Sequence, residues 1–590
     1  MDKLKPMLFS NMKTYNTKQF AKDIIAGIIV AIIALPLSIA LAIASGVEPQ
    51  MGIYTAIVAG FVISFLGGSR VQIAGPTAAF ATIVAGIVVE NGTEGLVVAT
   101  LLAGIILIIM GFCRFGSLIK FIPYTITTGF TAGIAVTILV GQLNSFFGVS
   151  IGDWVAEHDG ISPIETFDKL EAFFSCFGDT FNYMSLIIGV GSLLILFLFP
   201  KINKTIPSSL VAVIVATLVV KFAGLDKDFG VLTIGDQYSS IKNLSGLSGL
   251  PTFNLPCFDF EMISKMLPDA FTIAILAAIE SLLSAVVADG MIGSRHRSNM
   301  ELIAQGAGNI TSGLFGGIPA TGAIARTAAN IKNGGRTPIA GMVHAVVLLL
   351  MLLFLMPLAA MIPMPTIAAI LFQVAYNMSG IRAVIDTLKK APKSDITVLV
   401  TTFVLTVVFD LVVAIVVGLV LACLLFMKRM SDVTETKEWK YQEDYDKINS
   451  ENESYDEDTD AEHISLKQVP RHTQVFEITG PLFFGAADKL SGIVRNTDAD
   501  IIILRMRSVP ALDVTALHTL EGVYDTCVKN NIRLVFSHVN EQPMSVLKKS
   551  GFVEKVGSDY FCKNIDEALV FAESLEKEFH SNRKKQKQNN

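Results

Sequence analysis

The sequence predicts an α-helical membrane protein that crosses the bilayer many times and carries a small α/β domain in water. Of the 590 residues, 52% are hydrophobic and only 17% are charged. In soluble proteins about a quarter of the residues are charged. Long apolar runs such as 96–112 and 184–199 approach the roughly 20 residues that a helix needs to cross a bilayer. After residue 427 the composition becomes charged and then mixed, which indicates a separate soluble region.

Composition divides the chain into five regions. Residues 1–22 are polar and basic without an apolar core, which predicts a cytoplasmic segment and no cleaved secretory signal. Residues 23–428 hold the apolar segments, and residues 429–469 form a linker too acidic and polar to build a core. Alternating strand-like and helix-like patterns over 470–577 predict the α/β domain. The basic tail, 578–590, is expected to be disordered.

Fourteen apolar segments are predicted to cross the membrane. They lie near 23–45, 52–66, 71–89, 95–112, 120–143, 183–199, 208–223, 269–290, 301–315, 318–331, 338–356, 358–374, 395–409 and 411–427. Loops that carry Arg114, Arg295 and Arg382 alternate along the chain with acidic loops at Glu90 and Asp153. Because cytoplasmic loops are enriched in Lys and Arg, this charge pattern places both termini and the α/β domain in the cytoplasm.

Two of these segments contain interruptions that a continuous membrane helix would not tolerate. "RVQIAGPTAAF" (70–80) predicts a short extended piece from Val71 to Ala74 and a helix that begins at Pro76, since Pro suits the first turn of a helix. The first segment follows Gly67-Gly68. In the second half of the domain, "GGIPATGAIART" (316–327) has the same order: a Gly pair, an extended piece, Pro and a new helix. Non-helical backbone at membrane depth is tolerated only where protein or a watery cavity satisfies its polar groups. Interruptions at corresponding places in two halves point to a transporter's binding site, and kinks needed only for packing are the alternative.

Helices that begin near the middle of the membrane favour an anion at that point. The unpaired N–H groups at each helix N-terminus carry about half a positive charge. We expect the donors to be amides of the residues that start the two helices, namely Thr77, Ala78, Gly322, Ala323 and Ile324. Backbone amides bind small anions of many kinds, so the sequence does not name the substrate.

A carboxyl group lies in the middle of the apolar segment "FTIAILAAIESLLSAVVADG" (271–290). Placing Glu280 there costs about 2.5–3.5 kcal/mol on insertion scales, and Ser284 shares its helix face. Because hydrocarbon favours the neutral carboxyl, Glu280 is a candidate proton carrier that couples anion entry to H⁺ or, as the second choice, to Na⁺. The alternative is a structural carboxyl that bonds to neighbouring backbone and holds helices together.

Other polar residues in apolar surroundings have open interpretations. Arg326, one turn into the second broken helix, either extends to the inner surface or adds positive potential behind the anion. His344 is interpreted as a packed helix residue, with a proton relay as the alternative. Cys176 and Cys257 both lie in long outer stretches, where they could form a disulfide.

The sequence contains no motif of an enzyme or of an ATP-driven pump. It has no Walker loop, no metal-spaced cluster of His and Cys and no hydrolytic triad. We therefore expect no enzymatic activity, no bound metal and no cofactor beyond the coupling ion.

Four stretches together resemble the sulfate permease (SulP) family, which corresponds to solute carrier family 26 in animals. They are "GGSRVQIAGPTAAF", "AAIESLLSAVVADG", "NMELIAQGAGNITSGLFGGIPATGAIARTAANIKNGGRTPIAGMVHA" and "VPALDVTALHTLE". The resemblance implies a 7+7 inverted repeat of fourteen spans, in which a core and a gate subdomain move against each other like an elevator. It also implies secondary anion transport, a homodimer and a cytoplasmic STAS domain.

The resemblance also bears on single residues. Bicarbonate transporters of the family coordinate Na⁺ with Asp, Thr and Thr at the positions of Glu280, Ser284 and Ile324, and this sequence departs from the family at all three. Glu280 instead resembles proton-coupled members, and Arg326 matches a position where animal relatives place an Arg near the anion. In the STAS region, Thr515 occupies the position that anti-sigma-factor antagonists phosphorylate, so it is a candidate phosphosite, with a helix cap as the alternative.

These inferences lead to a secondary active importer of inorganic anions in a bacterial inner membrane, with proton-coupled sulfate uptake as the leading function. Na⁺-coupled bicarbonate transport and C4-dicarboxylate symport are the alternatives. An anion sensor or scaffold that signals through the STAS domain also stays open, as does an uncoupled channel. The expected partners are the small anion, the bilayer, a second copy of the chain and a cytoplasmic partner of the STAS domain, with no nucleic acid.

Overall fold

The chain forms two compact units, Met1–Val420 and Leu421–Asn590. The computed structural model describes residues 4–12, 15–117, 123–158, 163, 165–203, 206–243, 249–256, 259–409, 411–439, 467–493 and 499–589. The boundary between the units falls inside the last predicted membrane segment.

The first unit consists of helices, the last of which continues into the second unit, and two very short strands. In chain order these are α1 (Thr17–Ala44), α2 (Pro49–Leu66), β1 (Ala74–Gly75), α3 (Ala81–Phe112), α4 (Tyr124–Gly141), α5 (Tyr183–Ile202), α6 (Ser208–Phe222), α7 (Phe260–Ile292), α8 (Ser298–Leu314), β2 (Thr321–Gly322), α9 (Ile324–Lys332), α10 (Ile339–Ala359), α11 (Met364–Ser379), α12 (Ile381–Lys390), α13 (Lys393–Val408) and α14 (Leu411–Val433). Shorter helices occur at Met7–Asn11, Leu143–Phe147, Gly152–Glu157, Thr166–Thr180, Leu225–Asp228 and Ile234–Gln237.

The helices agree with the membrane segments that the sequence predicts. Each of the fourteen segments overlaps a helix, and two of them, 71–89 and 95–112, share α3, which bends at Gly92. Gly92 has φ 66°, a backbone conformation that other residues rarely adopt. Within the described residues nine helices are long and apolar enough to cross a membrane, so the count of fourteen crossings stays a prediction.

Helices α3 and α8 meet at backbone contact because both carry glycines. A Cβ added to Gly306 would lie 2.5 Å from the carbonyl oxygen of Gly104, and one added to Gly104 would lie 2.7 Å from the carbonyl oxygen of Gly306. In lipid, close packing of small residues is a principal force between helices. A second contact of this kind joins α4 to α13, where a Cβ on Gly129 would lie 2.8 Å from the carbonyl oxygen of Leu399.

One face of α8 is polar although it is completely buried. It consists of Glu301, Gln305, Asn309 and Ser312. The carboxylate of Glu301 accepts hydrogen bonds from the amides of Gly68 (2.8 Å) and Ser69 (3.0 Å). Asn309 accepts one from the amide of Ala320 (2.8 Å) and donates one to the carbonyl of the same residue (2.9 Å). The polar face of α8 therefore satisfies the non-helical backbone that leads into β1 and β2, as hydrocarbon requires.

The second unit contains a five-stranded mixed sheet with helices on both faces. Its strands, in spatial order, are β3 (Glu435–Trp439), β4 (Thr473–Thr479), β5 (Ile501–Ser508), β6 (Arg533–Ser537) and β7 (Phe561–Cys562). β3 is antiparallel to β4, and the other neighbouring strands are parallel. The helices are α15 (Val514–Lys529), α16 (Glu541–Lys549), α17 (Phe552–Val556) and α18 (Ile565–Asn589), with a short one at Asp488–Ser491. Apolar side chains on one face of the sheet pack against α15, and those on the other face pack against α18, so the predicted α/β domain is confirmed.

The structure differs from the sequence prediction at both borders of this domain. The predicted linker contributes β3, since an edge strand needs backbone pairing more than an apolar face, and Trp439 packs on the α18 side of the sheet. The rest of the linker, 440–466, lies outside the described residues. The basic tail is helical to Asn589 rather than disordered, because Arg, Lys and Gln are good helix formers and no Gly or Pro interrupts them.

The structure describes only one of the two cysteines, Cys176 and Cys257, that could form a disulfide. Cys176 is a buried free thiol. Cys257 lies outside the described residues.

Candidate functional site

The two interrupted segments meet, as the sequence predicts. β1 and β2 pair as antiparallel strands, with Ala74 opposite Gly322 and Gly75 opposite Thr321. A 3₁₀ turn (Ala78–Phe80) leads from β1 into α3, and α9 begins directly after β2. Two helices therefore begin at one place, and residues 73–80 and 320–326 are called the crossing below.

The helices of the crossing begin later than Pro76 and Pro319 predict. The first turn after β1 starts at Ala78, with Thr77 in an extended conformation before it. Pro319 precedes β2, and α9 starts only at Ile324. Antiparallel pairing requires extended residues between the proline and the second helix, which moves the start of that helix away from Pro319.

Glycines at the crossing make room for two polar side chains. A Cβ on Gly75 would lie 2.4 Å from Nη1 of Arg326, and a Cβ on Gly322 would lie 1.8 Å from Nε2 of Gln72. Any other residue at either position would displace one of these side chains. Gln72 lies within the interrupted segment 70–80, but no pattern in the sequence marks it for this position.

Glu280 lies beside the first helix start. The hydroxyl of Thr77 donates a hydrogen bond to Oε2 of Glu280 (2.8 Å). One turn earlier on the same helix α7, the carbonyl of Ala277 accepts a hydrogen bond from the hydroxyl of Thr321 (3.0 Å), which fixes α7 against β2. Within the described residues no Lys, Arg or His forms an ion pair with Glu280. The structure therefore joins Thr77 and Glu280, which are 203 positions apart in the chain.

Ser284 is hydrogen-bonded within the protein, and its predicted part in the substrate site stays a prediction. It is fully buried, and its hydroxyl donates to the hydroxyl oxygen of Thr327 (3.4 Å). Thr327 also accepts a hydrogen bond from the amide of Ile73 (3.0 Å), and Asn330 donates to the carbonyl of Val71 (2.8 Å). Thr327 and Asn330 share one face of α9, a spacing that could have indicated this role in the sequence.

Arg326 points into the crossing. It is only 1% exposed, and its Nη2 donates to the carbonyl of Pro76 (2.7 Å). The alternative in which this side chain extends to the inner surface is therefore wrong. Nε and Nη1 have no hydrogen-bond acceptor within the described residues. The guanidinium thus adds a buried positive charge where the two helices begin.

The amides at the second helix start differ in part from the prediction. The amide of Ala323 donates to the carbonyl of Ile73 (2.9 Å), so it is occupied within the protein. The first hydrogen bond of α9 runs from the amide of Thr327 to the carbonyl of Ala323 (2.9 Å). The amides of Ile324, Ala325 and Arg326 therefore form the open end of this helix. Ile324 is 41% exposed, which leaves this end accessible.

Thr515 in the second unit is not a helix cap. The cap of α15 is Asp513, whose Oδ1 accepts a hydrogen bond from the amide of Ala516 (2.8 Å). Thr515 is exposed in the first turn of the helix. Its phosphorylation stays a prediction.

Comparisons with known proteins agree with this architecture. The sequence profile of the Sulfate permease family matches residues 20–402, and that of the STAS domain matches residues 463–568. A putative sulfate transporter, YvdB from Bacillus subtilis, is 38% identical over 565 residues, covering 95% of this chain and 99% of the relative. The bicarbonate transporter BicA from Picosynechococcus is 29% identical, covering 93% of this chain and 94% of the relative.

Solved structures show the same fold. The overall structure of SLC26A9 has a TM-score of 0.81 over 98% of this chain and 94% of that chain, and at 18% identity this likeness concerns the fold alone. The transmembrane domain of the bicarbonate transporter BicA has a TM-score of 0.57 and 28% identity, covering 69% of this chain and 98% of that chain. The sequence profile covers more than half of the chain and the B. subtilis relative nearly all of it, so this protein is a member of the sulfate permease family with a C-terminal STAS domain.

Proposed function

We propose that this protein is a proton-coupled importer of sulfate, and that the anion binds in front of the crossing. The observation that carries the proposal is the antiparallel pairing of β1 with β2, which brings two helix N-termini and the guanidinium of Arg326 to one place. Open helix ends and a buried guanidinium together favour a compact oxyanion. The names of the relatives, a putative sulfate transporter and a bicarbonate transporter, support the same class of substrate.

Glu280 supplies a reason for coupling to protons. It contacts Thr77 at the end of the crossing where the anion is proposed to bind. Two unit negative charges about 5 Å apart repel each other by roughly 3 kcal/mol at an effective dielectric constant of 20. Protonation of Glu280 removes this repulsion and adds an O–H donor that can bond to the anion. Anion and proton therefore bind together, and neither is favoured to cross alone.

The arrangement supports H⁺ over Na⁺ as the coupling ion. Among the three positions at which bicarbonate relatives bind Na⁺, Ser284 is buried against Thr327, and Ile324 has no side-chain oxygen. A sodium ion needs several oxygen ligands, and this set leaves Glu280 with too few partners. Bicarbonate and C4-dicarboxylates stay the alternative substrates.

The close helix contacts support a rigid-body movement as the step that carries the anion across. Glycine contacts hold α3 to α8, and separate glycine contacts hold α4 to α13. We infer that the helices around the crossing move as one body against the group containing α4 and α13, in a homodimer whose termini both lie in the cytoplasm. The exposed thiol of Cys113 provides a test of this orientation. In oriented vesicles, an impermeant thiol reagent should label Cys113 only from the cytoplasmic side.

Uptake by purified protein in proteoliposomes tests the proposed function. The vesicles receive labelled sulfate under an inward proton gradient, an inward Na⁺ gradient or no gradient, with bicarbonate, fumarate and succinate as parallel substrates. We expect sulfate to accumulate only under the proton gradient. Accumulation driven by Na⁺ alone, or preference for a carboxylate, would overturn it. Passive sulfate flux without accumulation would indicate a channel, and no flux of any anion would favour a sensor that acts through the STAS domain.

A further inference from the structure

Helix α12 (Ile381–Lys390) is a short helix between two breaks in the chain. It follows Gly380, whose left-handed conformation (φ 54°) ends α11, and Pro392 separates it from α13. Its 10 residues span about 15 Å, which is half of the roughly 30 Å that a membrane crossing requires. α12 therefore cannot cross the bilayer by itself.

One face of α12 is apolar and open. Ile381, Ile385 and Leu388 recur at the spacing of a single helix face, and they are exposed at 50%, 42% and 42%. Within the described part of the chain no residue of this helix is buried. An apolar face next to a membrane domain is stable when the acyl chains of lipids or another protein surface cover it.

The other side of α12 is basic. Arg382, Lys389 and Lys390 are exposed, and Lys393 follows at the start of α13. Asp386 is the one acid of this segment, and it pairs with Lys390 at 3.2 Å. Four cations and one acid give the segment a net charge of +3. The charge pattern of the loops predicts that it lies on the cytoplasmic side.

We propose that α12 lies in the headgroup layer of the cytoplasmic leaflet and binds anionic phospholipids there. The apolar face contacts acyl chains, and the basic side chains reach the lipid phosphates. Charge complementarity favours this partner, because an anionic membrane surface offers an apolar layer and negative charge side by side. This inference goes beyond the proposed function, since it concerns lipid and not the transported anion.

Hydrogen exchange of the full-length protein in nanodiscs tests the proposal. The discs contain phosphatidylcholine alone or phosphatidylcholine mixed with phosphatidylglycerol, and mass spectrometry follows the amides of α12. We expect these amides to exchange about tenfold more slowly with phosphatidylglycerol, because anchoring suppresses local opening of the helix. Helix α16 is the internal control, since it also ends in two lysines but its Pro543 and Leu547 are buried. Its exchange should not depend on the lipid.

A charge variant separates lipid binding from a general effect of the membrane. The triple variant Arg382→Gln, Lys389→Gln, Lys393→Gln should reduce the lipid effect on exchange to less than about twofold. The matched control, Lys548→Gln with Lys549→Gln, removes exposed cations from α16 and should leave the effect unchanged. Salt at about 1 M should act like the triple variant, since it shortens the Debye length to about 3 Å.

Equal exchange of α12 in the two lipids would overturn the proposal. Slow exchange in both would mean that a protein surface covers the helix, and fast exchange in both would leave it in water. A lipid effect that survives in the triple variant would overturn the proposal as well. None of these measurements depends on transport, so a protein that carries no sulfate would reject the proposed function and leave the lipid site in place.

Discussion

The two helix starts at the crossing have similar backbones and opposite side-chain chemistry. The first start contacts an acid, through the hydrogen bond from Thr77 to Glu280. The second contains a base, Arg326, which reaches across to the carbonyl of Pro76. Paired strands bring the two starts together, and the side chains beside them differ, an acid at one and a cation at the other. In the proposed function a symmetric scaffold separates two tasks: one end exchanges the proton, and the other provides fixed positive charge for the anion.

The largest effect is expected from replacing Arg326, the cation at the second helix start. Arg326→Gln should raise the KM for sulfate about 100-fold or more, because a dianion loses a buried charge that water does not screen. Uptake rates over a range of sulfate concentrations measure this effect. Lys332→Gln is the matched control, since Lys332 is an exposed cation at the other end of the same helix. An equal rise of the KM in both variants would contradict a special role of Arg326 in binding sulfate.

Replacing Glu280, the acid at the first helix start, should change the coupling of sulfate uptake to protons rather than the affinity for sulfate. Glu280→Gln keeps the shape and the hydrogen bond from Thr77 but cannot exchange a proton, so accumulation under a proton gradient should fall at least about tenfold. Exchange of internal for external sulfate should continue. Glu90→Gln serves as control, because Glu90 is exposed. A Glu280→Gln protein that still concentrates sulfate would place the coupling group elsewhere.

The two glycines of the crossing should respond differently to an added methyl group. Gly75→Ala pushes against Arg326 and should raise the KM about tenfold, because the guanidinium must leave Pro76. Gly322→Ala pushes against the amide of Gln72 and should lower Tm with a smaller effect on KM. Parallel uptake and thermal unfolding measurements compare them. Equal changes in KM and Tm in the two variants would contradict the proposal that the two helix starts have different roles.

The smallest effects are expected at a helix N-terminus in the second unit, the start of α15. The start of α15 is capped by its own acid, Asp513, whereas within the described residues no side chain caps either helix start at the crossing. Asp513→Ala should destabilise the second unit by about 1 kcal/mol, measured by denaturant unfolding. Thr515→Ala, two positions away and exposed, should change neither stability nor sulfate uptake measurably. A loss of uptake in Thr515→Ala would assign this residue a direct part in transport.

The sequence predicts most of the fold because membrane helices and broken helices leave strong signals. Apolar runs locate the helices, and the two interruptions, each containing Gly and Pro, predict that 70–80 and 316–327 have corresponding roles. The start of α9 is misplaced because Pro319 suggests a helix start, while pairing with β1 keeps Thr321 and Gly322 extended. Strand pairs two residues long are too short to produce a pattern in the sequence.

The site is predictable in composition but not in its contacts. Glu280 and Arg326 stand out as charges in apolar segments, yet two directions for Arg326 stay open until its bond to Pro76, 250 positions away, is known. The amide of Ala323 is expected to face the anion and instead bonds to Ile73. Hydrogen bonds between distant segments depend on packing, which a single sequence does not specify.

The polar face of α8 has a consequence for how the chain is made. During synthesis, Gly68 and Ser69 enter the membrane more than 200 residues before Glu301, the group that accepts their hydrogen bonds. Until that residue emerges from the ribosome and inserts, the first broken segment has no permanent partner for its amides in lipid. We therefore expect the first half to reach its final structure only after the second half has been made.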